Sequence, residues 1–157
     1  MSKKQKKLFS IFFWIVSLTW GIILTIPGLI IVGILILAGC KYHKNGCSII
    51  VEVGGNWGGL EIGAVALCGR YSQKDGPCYD PNWFEHTRKH EFGHNIQELM
   101  FGPFQIFLGL ASALRYWYRR LTPKKEHKPY DSFWVEGMAT KLGYKWMEKF
   151  ENTIENK

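Results

Sequence analysis

Charge is absent from one long stretch of this 157-residue chain: Leu8 to Cys40, 33 residues, contains no Asp, Glu, Lys or Arg. The mean hydropathy of −0.11 is ordinary for a water-soluble protein, but it averages this stretch with residues 41–157, which carry 16 basic and 13 acidic groups. A plain cytosolic globule is excluded by that run, and a disordered chain by a hydrophobic content of 46%. Cysteine is scarce, with four residues, too few for a disulfide-dense mini-protein. The spacings of Cys40, Cys47, Cys68 and Cys78 fit no zinc ribbon, so these residues read as buried or half-buried thiols. A phosphate loop is also missing: Gly54–Gly59 is glycine-rich, but no Lys-Ser/Thr and no helix start follow it. What remains is one domain attached to a membrane.

A straight helix of the whole apolar run would be about 50 Å long, against a hydrocarbon core of about 30 Å. Thr25-Ile26-Pro27-Gly28 lies in its middle, and proline suits the first turn of a new helix. Two short helices are expected, roughly 8–25 and 27–39, as a transmembrane or re-entrant hairpin. Lys3, Lys4, Lys6 and Lys7 precede the run, and Lys41 and Lys44 follow it. A hairpin keeps both basic clusters on the cytoplasmic side, where a single span would separate them. Leu37-Ala-Gly-Cys40 has the form of a bacterial lipobox, but the apolar stretch before it is longer than a usual signal core. The domain division expected is 1–40 for the hairpin and 41–157 for the rest.

Cys47–Val53 and Leu60–Cys68 are β-branched runs about a Gly/Asn centre, which predicts a β-hairpin. Cys47 and Cys68 would then face each other, reduced if cytoplasmic. Residues 70–82 read as a loop, and Asp80-Pro81 as a helix start.

His90-Glu-Phe-Gly-His94 fits H-E-x-x-H. On a helix, residues four apart share one face, so His90 and His94 can offer two imidazoles to one Zn²⁺. Glu91 lies beside them, placed to take a proton from an attacking water. Only five histidines occur in the chain, and two of them are here. A catalytic zinc needs a third protein ligand, and Glu136 is the best candidate. It sits among Phe133, Trp134, Val135 and Met138, where an unpaired carboxylate is costly. Asp131 or Ser132 can cap its helix. Positions 136, 139, 140 and 143 share a face whose last three members are Ala, Thr and Gly, which allows close approach to the His90/His94 helix. Gln97 is a candidate to orient a ligand or the substrate. His127, Tyr130 and Tyr144 are candidates to stabilise an oxyanion. His86 extends the histidine stripe by one turn but cannot converge with both others on one ion.

Leu99–Leu114 is a further apolar piece, ending in Arg115-Tyr-Trp-Tyr-Arg-Arg120. Aromatics beside arginines mark a membrane interface. A full crossing here would separate His94 from Glu136, so with a shared zinc site 103–120 is expected to lie in the interface or to re-enter on the same side, within an interfacial segment 99–120. Its basic residues suit lipid headgroups, and no nucleic acid partner is expected.

The combination of HExxH with a downstream Glu resembles gluzincin-type zinc metallopeptidases. More closely, the chain is similar to small, uncharacterised bacterial membrane proteins of the zinc metallopeptidase kind. The residues that carry this are Val53–Gly63, His90–Gln97, Phe101–Pro103, Ala113–Arg119 and Tyr130–Thr140. The resemblance implies His90, His94 and Glu136 as zinc ligands and Glu91 as base. Many gluzincins have an acid after the ligand Glu to orient a histidine; Thr140 stands there without a charge. The expectation is an α+β, zincin-like domain held at the cell membrane, hydrolysing a peptide or membrane-protein substrate near the bilayer. The rival is a non-enzymatic membrane protein with a structural metal or none, binding lipid or a protein partner.

Overall fold

The computed structural model describes residues 1–55, 57–72, 74, 79–123 and 127–151; Cys78 and Asn56 lie outside them. The architecture is α+β. Helices α1 (Lys3–Thr19) and α2 (Ile22–Leu37) come first, then strands β1 (Tyr42–Asn45), β2 (Ser48–Glu52), β3 (Gly59–Ile62) and β4 (Val65–Cys68). Helices α3 (Pro81–Phe101), α4 (Gln105–Leu121) and α5 (Trp134–Glu151) complete it, with single 3₁₀ turns before α4 and α5.

Ser2 and Gln5 cap α1 reciprocally, so its helix takes in the four lysines and starts earlier than the apolar run. The break between α1 and α2 falls at Trp20-Gly21, not at Thr25–Pro27, and Pro27 lies inside α2. A tertiary contact sets this position. Glu98 of α3 enters at the break, and a Cβ on Gly21 would lie 2.3 Å from its Oε1. Ser17 donates to Glu98 Oε2 at 3.1 Å and Thr25 to Oε1 at 2.9 Å. The two helices are bent by 104° at the break. Among the described residues no single helix is long and apolar enough to cross a membrane; only the bent pair passes that test together.

The expected hairpin of 47–53 with 60–68 does not form. The second run folds back on itself at Gly63, giving β3 and β4 as an antiparallel pair, and β1 pairs antiparallel with β2. The two pairs join through parallel β2 and β4, in the order β1-β2-β4-β3. Gly63 has φ +70°, and a Cβ there would lie 2.5 Å from the Thr25 backbone, so α2 presses directly on this turn. Cys68 consequently pairs in register with Glu52, while Cys47 precedes β2. Cys40, Cys47 and Cys68 are free thiols.

Helices cover both faces of the sheet. Val51 and Val65 pack with Val32 of α2 on one face, and Ile50, Ala66 and Cys68 pack with Phe84 of α3 on the other. A further cluster joins Phe13 of α1, Phe92 and Ile96 of α3, and Met147 of α5. The apolar hairpin therefore shares its inner face with the cores of the rest of the chain. Its outer face leaves Leu8, Ile15, Ile23, Ile30 and Ile34 exposed.

Asp80 caps α3 by accepting from the Asn82 and Trp83 amides. The most extensive helix packing is α3 against α5, and two glycines permit it. A Cβ on Gly93 would lie 1.8 Å from the Ala139 carbonyl oxygen, and one on Gly143 1.8 Å from that of Lys89. Backbone meets backbone at both points, so neither clash has a flexible side chain to relieve it. Gly93→Ala is expected to cost about 3 kcal/mol. Gly109→Ala, in open space on α4, is expected to gain about 1 kcal/mol from helix propensity. Thermal melts of the purified chain check both.

Burial pushes the Glu98 carboxyl up to about 7 from 4.5, against the Thr25 and Ser17 hydroxyls that pull it back. The folded chain thus holds this proton more tightly than the unfolded one. The associated stability is fully present below about pH 4.5 and is lost as pH rises through about 7. Melting temperatures at a series of pH values should fall less steeply across that window for Glu98→Gln than for the parent.

Candidate metal centre

The α3–α5 contact sets the geometry of the site. His90 and His94 stand one turn apart on α3, and Glu136 sits in the first turn of α5 facing them. The two imidazole Nε2 atoms are 3.2 Å apart. Glu136 Oε2 lies 3.0 Å from His90 Nε2 and 3.4 Å from His94 Nε2. Both imidazoles are 12% exposed and the carboxylate 2%.

What lies behind each ring decides what it can do. His90 Nδ1 is 2.8 Å from Thr140 Oγ1, and that hydroxyl donates to Asp131 Oδ2 at 3.0 Å. With its own proton committed to Asp131, Thr140 can only accept, so His90 Nδ1 is the donor. His94 Nδ1 is 2.7 Å from Gln97 Oε1, whose orientation is fixed because Gln97 Nε2 donates to the Val135 carbonyl at 2.8 Å. His94 Nδ1 is therefore the donor as well. Both Nε2 lone pairs then point at each other and at a carboxylate. Three electron-rich atoms this close repel unless a cation lies between them. In the metal-free chain a proton meets that need. Burial lowers the His94 pKa, but the carboxylates of Glu136, Glu91 and Glu61 more than offset this and raise it to about 9. Burial would raise Glu136, and the two imidazoles hold it well below the usual carboxylate range. The three donor atoms all lie within 4.8 Å of one another, so this His/His/Glu group can hold a metal ion.

Glu91 is buried beside the cluster. Burial raises its pKa against the lowering effect of His90 and His94, and the Glu61 backbone amide of β3 faces its carboxylate. The edge strand passes close by: a Cβ on Gly59 would lie 2.3 Å from Glu91 Oε1. Tyr130 lies near Glu136 and Glu91, and burial followed by those charges raises its hydroxyl pKa.

His127 and Tyr144 are not brought to the cluster. His127 Nε2 lies 2.9 Å from the Thr122 carbonyl oxygen, at the C-terminal end of α4. Tyr144 pairs with His86 Nδ1 at 2.9 Å, and the His86 ring stacks on that of His90 at 6.1 Å. The structure adds two acids to the neighbourhood. Asp131, expected as a helix cap, instead turns its carboxylate to Thr140, so the charge missing at position 140 arrives from one residue further out. Glu61 of β3 is the other. Its Oε1 is buried without a partner, while Oε2 takes a long hydrogen bond of 3.4 Å from Gln105. Burial, with Glu98 and Glu91, pushes it up to about 8 against the pull of His94. The one sequence signal for Glu61 was an acid inside an otherwise apolar strand.

No family profile, curated protein or solved structure matches this chain. The site therefore rests on its own geometry.

Removing the groups behind the rings should loosen the cluster while leaving its three donors in place. Thr140→Val and Gln97→Ala are each expected to weaken the binding of a divalent metal ion by about 10-fold or more. Competition against a chromophoric chelator measures this.

Proposed function

We propose that the protein is a membrane-anchored zinc metallopeptidase that hydrolyses peptide bonds at or near the membrane surface. The observation that carries this reading is the pair of Nε2 lone pairs turned onto Glu136 by Thr140–Asp131 and Gln97. Two imidazoles and one carboxylate are a fitting donor set for Zn²⁺ in a site that keeps a position for substrate or water. Zinc held there supplies Lewis acidity, polarising the scissile carbonyl and acidifying a water.

The chain's own residues supply the rest. Glu91, buried and raised in pKa, takes the proton of the attacking water and passes it to the leaving amine. Tyr130, hydrogen-bonded to Glu136, is a nearby hydroxyl that can turn to donate to the developing oxyanion. Strand β3 lies at the sheet edge beside Glu91, where an extended peptide can add by backbone pairing. The exposed isoleucines and leucines of α1 and α2, with lysines at both ends, support a seat in the bilayer with the domain on the cytoplasmic face.

Metal content and turnover test this reading separately. The purified chain should carry one zinc, and His90→Ala should lose it. Glu91→Gln should keep zinc and reduce hydrolysis of a quenched-fluorescent peptide library by about 10²–10⁴-fold. Zinc retained by His90→Ala would remove the assigned ligand. Zinc present without hydrolysis in the parent would leave the metal structural.

A further inference from the structure

Helix α4 is amphipathic with its faces reversed. A helix on a water-soluble domain turns its apolar stripe to the core. Here Phe107, Leu110, Leu114, Trp117 and Leu121 recur at spacings of three and four, and all point outward. Phe107 is 64% exposed, Leu114 71% and Leu121 77%. The opposite face carries Gln105, Ser112, Arg115 and Arg119, and turns toward the protein. Gln105 is the one buried residue of this 17-residue helix. The protein thus covers the polar side of α4 and leaves its apolar side bare.

The inner face reaches the candidate metal centre. Gln105 donates to Glu61. Arg115 donates to the Pro129 carbonyl at 3.3 Å and to Ser132 Oγ at 3.2 Å, on either side of the turn that carries Tyr130 and Asp131. The buried Ser112 hydroxyl is directed at Glu136 and lowers its pKa, without closing a hydrogen bond of ordinary geometry.

Two observations say what covers the outer face. At the corner before α4, Gly102 packs on Trp20 of the α1–α2 break, where a Cβ would lie 2.2 Å from the indole nitrogen. The bare stripe of α4 therefore starts beside the half-exposed indole of Trp20, where the apolar α1–α2 pair turns. Also, α4 has no acidic residue, and its far end combines Tyr116, Trp117 and Tyr118 with Arg119 and Arg120. That end suits anionic headgroups at an interface.

We propose that α4 lies in the interfacial layer of an anionic bilayer, and that this seat presses its polar face onto Glu136 and the 129–132 turn, so that bilayer contact completes the candidate site. The functional meaning of that contact rests on the metallopeptidase reading; the seat itself does not.

The test uses the full chain in nanodiscs of phosphatidylcholine and phosphatidylglycerol at 3:1. Brominated acyl chains should quench at least half of the emission contributed by Trp117, isolated as the difference between the parent and Trp117→Phe. Hydrogen exchange across 129–137 should be several-fold slower there than in phosphatidylcholine alone, and a Phe107→Asp/Leu114→Asp variant should lose that protection. Trp117 emission untouched by bromine would overturn the seat, including the case in which a dimer shields it. Quenched Trp117 with exchange at 129–137 indifferent to both lipid and variant would overturn the coupling. Neither readout depends on zinc, so a chain that holds no metal fails the metallopeptidase reading alone.

Discussion

The candidate metal centre exists because α3 and α5 meet with no side chain between them. Gly93 against Ala139 and Gly143 against Lys89 let two backbones touch. That depth brings Glu136, on the first turn of α5, onto the Nε2 atoms of histidines on α3. A methyl group at either glycine would hold the helices apart by more than the metal-ligand geometry tolerates. The rest of the site follows from that contact. Thr140 reaches His90 because it lies one turn beyond Glu136, and the Val135 carbonyl reaches Gln97 because it immediately precedes it.

Four glutamates are drawn into the interior around this contact, and each is held differently. Glu136 is paired with imidazoles, Glu98 with hydroxyls, and Glu91 lies between the histidines and the amide of an edge strand. Glu61 has one oxygen with no partner. A group of acids at this density is unfavourable without positive charge, and the chain supplies little of it beyond two imidazoles. Burial raises Glu98, burial with neighbouring carboxylates raises Glu61, and carboxylates raise His94 against its burial.

The N-terminal hairpin serves this arrangement as well as presenting apolar surface. Ser17 and Thr25 hold Glu98, Thr25 also accepts from the Ala64 amide at 3.2 Å, and α2 closes the second face of the sheet. The turn between β3 and β4 is thus fixed from both sides, since Asn95 of α3 donates to the Gly63 carbonyl at 2.6 Å. The strand passing Glu91 is positioned by the segment that the uncharged run of sequence marked out.

Local patterns were legible in the sequence. The H-E-x-x-H spacing places two imidazoles on one helix face whatever surrounds them, since i and i+4 always share a face. The uncharged run, the Asp80-Pro81 cap and the small-residue face of α5 depend likewise on near neighbours in the chain. Whatever depends on distant contacts was not legible. The hairpin bends at Gly21 rather than Pro27 because Glu98 arrives there from 77 positions away. One β-branched run folds into two strands because α2 presses on Gly63. Asp131 serves Thr140 instead of its own helix end because it falls in the 3₁₀ turn before α5, which starts only at Trp134. By itself the sequence determined which imidazoles and carboxylates share a local helix face. Only the tertiary structure decided which of them meet, because close backbone packing and burial of charge act between segments that the chain holds far apart.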